Sequence, residues 1–301
     1  MAYLLLTLTV LFWAGNFVLA RALHTEFEPI TLAFYRWSLA LMILLPFWLP
    51  RAWKVRSLLA RYWFRLSVLG LLGVASFNTL LYEGLQMTLA TNATLPQSAI
   101  PIIILLISVL FLGEHVSGRQ WLGVVLSLSG VLMIISQGDP TLLLQLAFNE
   151  GDLWVLGAVL AWAAYSLLLR WKPADVEGFV FLGFTIMVAV IVLFPLSILE
   201  QGGALPQLTW TPAMVITVVY MAVCPSILSY LFWNRGVAEL GAPRAGLFIH
   251  LIPLFGLLLS ALFLGENVQA FHLLGITLIF LGIYLAVVAK TLSRIFKQKE
   301  S

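Results

Sequence analysis

The pentapeptide LFLGE occurs twice in this chain, at Leu110–Glu114 and again at Leu262–Glu266. The two copies lie 152 residues apart in a chain of 301 residues, so they occupy matching places in its two halves. Other identical residues share this spacing: Gly84 and Gly236, Ala93 and Ala245, Pro101 and Pro253, Gly123 and Gly275, and Gly130 and Gly282. Self-similarity at this period predicts that one ancestral unit of about half the chain was duplicated, so the fold consists of two related halves.

The composition is that of a membrane protein. Hydrophobic residues make up 62% of the chain and charged residues only 10%, whereas soluble domains carry about a quarter charged residues. The lipid bilayer is therefore an expected partner, and the small net charge of +3 gives no surface for nucleic acid. The single cysteine, Cys224, excludes an internal disulfide and a cysteine metal cluster. No Walker loop is present, so we expect neither ATP use nor a cofactor.

Ten stretches are apolar enough to cross a bilayer, for which a helix needs roughly 20 apolar residues. With a cytoplasmic N-terminus, the inner connections carry fourteen Lys and Arg residues and the outer ones carry one, which predicts that both termini are cytoplasmic. The first stretch begins without basic residues and indicates a retained span, not a signal peptide. The predicted spans are about 3–23, 30–50, 65–87, 92–112, 118–138, 152–171, 178–200, 210–235, 242–264 and 269–290.

Because each half holds five spans, an odd number, the second half enters the membrane from the opposite side. The sequence thus predicts an all-α membrane protein with ten transmembrane helices arranged as two inverted five-helix repeats. The first repeat covers residues 1–138, a linker 139–151, the second repeat 152–290 and a basic cytoplasmic tail 291–301. Inverted halves can exchange conformations, which gives a route to opening a central site to alternate sides of the membrane.

Polar side chains within the spans are candidates for a cavity, because they are costly in lipid. In the third span Asn78, Tyr82 and Gln86 recur every four residues and form one stripe. Ser226, Tyr230 and Asn234 form a second stripe in the eighth span. The spacing of 152 residues maps the first stripe onto the second, so the two could line a cavity between the repeats or simply hydrogen-bond the helices to each other.

The first and sixth spans match at a spacing of 149 residues, which pairs Trp13 with Trp162 and Asn16 with Tyr165. Aromatic walls with a few hydrogen-bonding groups suit a flat apolar solute with one polar end, although plain packing explains Trp13 equally well. The fourth and ninth spans add Ser98 and His250 beside two prolines that kink the helices. His250 is either a structural residue or a proton carrier. The candidate substrate-binding residues are Asn16, Asn78, Tyr82, Ser98, Trp162, Tyr165, Tyr230, Asn234 and His250.

Arg36 is the only basic residue deep within a predicted span, and Glu83 lies at a similar depth near the outer end of the third span. Opposite charges at one depth predict an ion pair, which would lower the cost of burying each. The alternative is that Arg36 holds a substrate carboxylate, and the structural interpretation is the preferred one. Glu83 is also the default candidate for proton coupling.

The chain resembles a known family. Ten spans in two inverted repeats, the doubled LFLGE, Trp13-Ala14-Gly15-Asn16-Phe17 and Phe34-Tyr35-Arg36-Trp37 are similar to the EamA group of the drug/metabolite transporter superfamily. Within that group the aromatic interior looks most like the aromatic amino-acid exporters. The resemblance implies a carrier of the bacterial inner membrane that exports small metabolites through a central cavity.

These observations predict a monomeric secondary transporter that exports neutral or aromatic amino acids by alternating access. Export of another small metabolite or of a drug stays open. A cationic drug is disfavoured, because its carrier usually needs a carboxylate near mid-membrane, where the first span has Asn16. An intramembrane enzyme is the alternative of a different class. The chain lacks the HExxH and GxSxG motifs and a pair of membrane aspartates, so we expect that it is not an enzyme.

Overall fold

The structure, a computed structural model, describes residues 1–22, 28–87, 96–144, 149–205, 210–264 and 269–288. All regular secondary structure within these ranges is helical, and they contain no strand. Large apolar side chains are exposed along the helices, among them Phe111 at 79% and Leu262 at 77% of their full area. Such a surface requires lipid around it, so the chain is a multi-pass membrane protein.

We number the long helices in chain order. They are α1 (Ala2–Ala22), α2 (Pro29–Lys54), α3 (Trp63–Met87), α4 (Pro96–Leu112), α5 (Gly118–Ile135), α6 (Glu150–Trp171), α7 (Gly178–Glu200) and α8 (Pro212–Leu240). The helix α9 joins Ala242–Gly246, Leu247–Leu251 and Ile252–Leu264, and α10 joins Ala270–Ile283 and Tyr284–Val288. Short helices at Arg56–Arg61 and Thr141–Leu144 lie in connections.

Eight of the described helices are long and apolar enough to cross a bilayer, while the apolar parts of α1 and α4, Ala2–Asn16 and Pro96–Leu112, are shorter. The predicted count of ten spans therefore stays a prediction. The helix α6 begins two residues before its predicted start, because Asn149 and Asp152 form a capping box there. The predicted tail 291–301 lies outside the described residues.

Corresponding positions in the two halves form the same helix-capping structures. Ser117 and Gln120 form a capping box at the start of α5, and Gln269 and His272 form one at the start of α10. These two boxes are 152 residues apart. In the first LFLGE copy Gly113 ends α4 in a left-handed conformation with φ 64°, which a residue without a side chain adopts at little cost. Glu266 of the second copy lies outside the described residues.

The repeated glycines bring α5 and α10 into close contact. A Cβ added at Gly123 would lie 2.5 Å from the carbonyl oxygen of Gly282, and one at Gly275 would lie 2.7 Å from the carbonyl oxygen of Gly130. These contacts pair the start of one helix with the end of the other, so α5 and α10 run in opposite directions. Small residues permit this close approach of two helix backbones in a membrane.

Two other matching pairs of helices are also antiparallel. At one end of the α2/α7 pair the Glu200 carboxylate accepts hydrogen bonds from the backbone N–H groups of Ile30 and Thr31 at 2.8 and 2.7 Å. At the other end the indole of Trp48 donates to the carbonyl of Val180 at 3.0 Å. In the α4/α9 pair the His250 Nε2 lies 2.9 Å from the carbonyl oxygen of Ser98, the residue 152 positions earlier. A Cβ added at Gly246 would lie 3.2 Å from Ile104 Cδ1, so the chain advances along α9 as it goes back along α4.

The helices α3 and α8 are both interrupted by π-helical segments, at Leu71–Ser76 and Ala222–Leu228. A π-helical turn leaves backbone carbonyls without their usual partners, and such turns are frequent at functional sites. The carbonyl of Gly73 accepts a hydrogen bond from the Tyr230 hydroxyl, and that of Pro225 accepts one from the Trp13 indole at 3.3 Å. Gly73 and Pro225 are again 152 residues apart, so each half satisfies the matching carbonyl of the other.

Candidate functional site

A cavity lies in the middle of the helix bundle, among residues of α1, α2, α3, α4, α6, α8 and α9. About 430 Å³ of space free of atoms lies between its walls and in the open solvent at its mouth. The cavity is narrow, so a solute would have to move side chains or helices apart to enter. Its aromatic lining residues are Trp13, Phe77, Trp162 and Tyr230, and its polar ones are Asn16, Arg36, Asn78 and Gln97. Leu81, Ile100, Ile249 and Ile252 complete the wall.

The aromatic residues form one connected cluster around Trp162. Its ring centroid lies 5.0 Å from that of Trp13 at an angle of 88°, 4.8 Å from that of Phe77 and 5.6 Å from that of Tyr230. Edge-to-face and tilted pairs at these distances are mutually attractive, so they hold the rings in fixed orientations. The cluster contains residues from both halves of the chain, which makes it a wall shared by the two.

Arg36 organises the polar residues of the cavity lining. This residue is 1% exposed, and its Nε donates to the Ser226 hydroxyl. Its Nη1 lies 2.7 Å from the Tyr82 hydroxyl, 3.1 Å from Asn78 Oδ1 and 3.3 Å from Asn16 Oδ1. The guanidinium therefore joins α2 to α1, α3 and α8 through neutral oxygen atoms.

The expected ion pair between Arg36 and Glu83 is absent from the structure. Among the described residues the ion pair within 4.0 Å is Arg235 with Glu239, on the surface of α8. The prediction was wrong because depth along a helix does not fix direction around it. Successive residues of a helix point about 100° apart. The neighbour of Glu83, Tyr82, faces Arg36.

The structure places four of the nine predicted site residues on the cavity lining: Asn16, Asn78, Trp162 and Tyr230. Tyr82 contacts Arg36 directly behind that lining. Tyr165 and Asn234 form a separate pair, in which the tyrosine hydroxyl donates to Asn234 Oδ1 at 2.7 Å. The side-chain nitrogen of Asn234 is buried without a hydrogen-bond partner in the described part of the chain. It is a spare donor one helical turn from Tyr230.

Ser98 and His250 contact each other, and neither is itself a lining residue, although their chain neighbours Gln97 and Ile249 are. Besides its contact with the Ser98 carbonyl, His250 places Nδ1 2.7 Å from the Ser127 hydroxyl of α5. Both ring nitrogens thus have partners, and the ring is 1% exposed. This geometry joins α4, α5 and α9 near the position where the two halves meet.

Several lining residues were not predicted from the sequence as binding residues. Arg36 is interpreted from the sequence chiefly as a structural ion, and the predicted set of binding residues contains neither Gln97 nor Phe77. Phe77 directly precedes Asn78, and it reaches the cavity because the π-helical segment Leu71–Ser76 ends beside it. No signal in a single sequence announces a π-helical turn, so this lining residue could not have been found.

Comparison with known proteins gives consistent matches along the whole chain. The model of the EamA-like transporter family matches residues 1–136 and 149–288. The uncharacterized transporter YyaM of Bacillus subtilis is 27% identical over 288 residues, which are 94% of this chain and 92% of the relative. An uncharacterized transporter of Archaeoglobus fulgidus is 29% identical over 94% of this chain and 96% of its own length.

Two further matches are a relative that is similar over a shorter stretch and a solved structure of similar fold. Protein PecM of Dickeya dadantii is 28% identical over 219 residues, which are 72% of this chain and 71% of that protein. One solved crystal structure superposes with a TM-score of 0.76 over 96% of both chains, at 18% identity. At that identity the likeness concerns the fold alone.

Proposed function

The chain belongs to the EamA-like transporter family, and we propose that it is a secondary carrier that exports neutral amino acids, aromatic ones included, across the bacterial inner membrane. Members of this family are transporters, which agrees with the expectation that the chain is not an enzyme. The observation that carries the proposal is the mixed lining of the cavity, with an aromatic cluster around Trp162 and a polar cluster around Arg36. A free amino acid has the same division between an apolar side chain and a charged end.

Each part of a neutral amino acid has complementary groups in the cavity. The rings of Trp13 and Phe77 offer flat apolar contact to the side chain. The amide oxygens of Asn16 and Asn78 are hydrogen-bond acceptors within reach of an ammonium group. A protein needs few such polar groups, because a small number of well-placed ones fixes the orientation of a bound solute.

The packing of the helices supports the proposed inverted repeats. The matching pairs α2/α7, α4/α9 and α5/α10 are each antiparallel, as their end-to-end contacts require. A two-fold axis lying across the helices, in the membrane plane, produces such antiparallel pairs, whereas an axis along the helices produces parallel ones. The family model also matches two separate ranges, 1–136 and 149–288. An inverted pair of halves supports alternating access to a site between them.

The two π-helical segments are suited to act as the bending points of this motion. They flank the cavity at matching positions of α3 and α8. The carbonyls of Gly73 and Pro225 within them each accept a side-chain hydrogen bond from the other half. A change that breaks one bond and keeps the other would open one side of the cavity while the opposite side stays closed.

Export of a cationic drug is the second candidate, and the charge of the cavity argues against it. The buried guanidinium of Arg36 lines the cavity, and the described lining residues include no Asp or Glu. A cation would therefore approach an uncompensated positive charge in a medium of low dielectric constant, where repulsion is strong.

We also propose that both termini lie in the cytoplasm and that the protein is a monomer.

Transport by the purified protein in liposomes tests the function. Labelled tryptophan, phenylalanine and leucine should enter preloaded vesicles by exchange, saturably and without ATP. A panel of unlabelled metabolites added in excess then defines the substrate class by competition. If every neutral amino acid fails while another metabolite shows saturable uptake, the carrier assignment stands and the substrate assignment is lost.

A further inference from the structure

We propose that Arg36 is the receptor for a carboxylate group of the substrate, so that the carrier selects solutes by their carboxylate and accepts different apolar side chains. This inference rests on the proposed function of the central cavity as the substrate site. It adds the residue and the chemical group that decide recognition there.

The first observation is that the charge of Arg36 lacks a counter-ion. Its side chain is buried at 1% exposure, yet none of the described carboxylates lies within 4.0 Å of it. A buried charge without a partner of opposite sign is unfavourable, and neutral oxygen atoms compensate it only in part. Ionisable groups kept within a membrane at this cost commonly bind a substrate or an ion.

The second observation is that the two terminal nitrogens of the guanidinium make different numbers of hydrogen bonds. Nη1 carries two hydrogens but faces three oxygen acceptors, those of Tyr82, Asn78 and Asn16. The other terminal nitrogen, Nη2, makes no hydrogen bond within the described residues, and it is absent from the fully buried polar atoms without partners. Arg36 itself is a lining residue. The free nitrogen is therefore exposed to the cavity.

The third observation is the fit between this arrangement and a carboxylate. The planar guanidinium presents parallel N–H groups that match the two oxygens of a carboxylate, and such bidentate pairs are strong and directional. Because Nη1 has one acceptor more than it has hydrogens, a carboxylate can replace one amide or hydroxyl contact without leaving the others unpaired. The hydrogen bonds to neutral oxygens thus keep the guanidinium in position, and one of them can be exchanged for a bond to a charged ligand.

The aromatic residues of the cavity favour ligands whose carboxylate is followed by an apolar side chain. Trp13 and Asn78 line the same cavity as Arg36, so a carboxylate at the guanidinium directs its side chain toward the rings. Asn78 Oδ1 accepts from Arg36 and retains a second lone pair for an ammonium group. The ammonium is thus an additional contact, and the carboxylate is the required one.

Binding to the purified protein tests this inference with compounds that differ by one group. The series is L-phenylalanine, its amide, phenethylamine and 3-phenylpropionate, repeated with L-leucine and its amide, and isothermal titration gives each dissociation constant. The two amino acids and 3-phenylpropionate should bind. The amides and the amine should bind at least about tenfold more weakly, as expected for loss of a charge-assisted bidentate contact.

Variants assign the preference to Arg36. Arg36→Gln should weaken phenylalanine binding at least about tenfold and bring the ratio of acid to amide affinity close to one, an outcome that a purely structural role does not produce. Arg36→Lys should keep the preference for the acid with lower affinity, because it retains the charge and loses the fork. Arg235→Gln removes an exposed arginine of a surface pair and serves as the control. This variant should change neither the affinity for phenylalanine nor the ratio of acid to amide affinity.

The outcomes separate this inference from the proposed function. Equal binding of acids and amides overturns the role of Arg36 and leaves an amino-acid carrier. Binding of 3-phenylpropionate without binding of either amino acid supports Arg36 and removes the amino-acid assignment. Absence of binding by all six compounds contradicts both. If Arg36→Gln does not fold, the comparison of acids with amides on the unaltered protein still decides the question.

Discussion

Replacing Gly123 by alanine should separate α5 from α10 and destabilise the protein. The new Cβ would lie 2.5 Å from the carbonyl oxygen of Gly282 and 2.7 Å from the Cβ of Ala286. The nearest of these atoms belongs to a helix backbone, so no side-chain rotation relieves the clash. Raising 2.5 Å to the ordinary 3.4 Å contact requires a local shift of about 0.9 Å between the helices.

The cost of that shift can be worked from the contacts that it loosens. A gap of about 0.5–1 Å loses a quarter to a half of the attraction at each atom pair along the seam. Overpacking of a close interface costs about 1–3 kcal/mol in total. We therefore expect the melting temperature of the detergent-purified protein to fall by about 3–10 °C. The single cysteine, Cys224, is half-buried, so its reaction with a thiol-reactive fluorescent dye can report the melting.

The chain provides both a mirrored variant and a matched control. Gly275→Ala places a Cβ 2.6 Å from Ile134 Cγ1 and 2.7 Å from the carbonyl of Gly130, so it should cost about the same. The melting temperature of the double variant should fall by less than the sum of the two single falls, because one shift of α10 relieves both clashes. Gly118→Ala, at the start of α5, meets no atom within 4 Å and should melt within about 1 °C of the unaltered protein. Equal melting of Gly123→Ala and Gly118→Ala would refute the reasoning.

Three further predictions concern transport and the helix ends. Trp162→Ala should lower amino-acid transport without lowering membrane abundance, whereas Trp154→Ala, on the exposed side of the same helix, should leave transport unchanged in a parallel uptake assay. His250→Gln should lower the melting temperature and leave the KM for transport within about threefold, because both ring nitrogens are bonded to Ser127 and Ser98 and the ring is not a lining residue; a tenfold rise in KM would make it a binding residue. Glu200→Ala removes the carboxylate that caps α2 and should cost about 0.5–2 kcal/mol of unfolding free energy. Glu239→Ala, in an exposed pair, should cost less than about 0.5 kcal/mol, and equal losses in the two glutamate variants would contradict the capping role.

The internal repeat made part of the fold predictable from one sequence. Residues separated by 152 positions recur as matched structural devices, from the capping boxes at Ser117 and Gln269 to the glycine contacts at Gly123 and Gly275. Such features depend on local sequence and on helix periodicity, and a single chain contains both. The polar stripes were predictable for the same reason, because residues four apart share one face of a helix.

The features that could not be predicted depend on the direction in which side chains point around a helix and on contacts between residues far apart in the sequence. The pairing of Arg36 with neutral oxygens instead of Glu83 is set by the rotation of α2 against α3, which periodicity leaves open. The cap that Glu200 provides for α2 joins residues 170 positions apart. The π-helical segment Ala222–Leu228 contains Pro225, and the sequence predicts only an ordinary proline bend there. In the structure the Pro225 carbonyl accepts a hydrogen bond from the Trp13 indole of another helix.

Side-specific labelling of one lining residue tests the central claim most directly, which is that a solute cavity between the two halves opens alternately to the two sides of the membrane. In a protein whose Cys224 is replaced by serine, Ile249→Cys places a thiol on the lining, and Leu153→Cys places one on the exposed face of α6 as the control. A membrane-impermeant maleimide should label position 249 from either side of oriented vesicles, and excess substrate should protect it, while position 153 shows no protection. Labelling of position 249 from one side only, or without any effect of substrate, would contradict alternating access through this cavity.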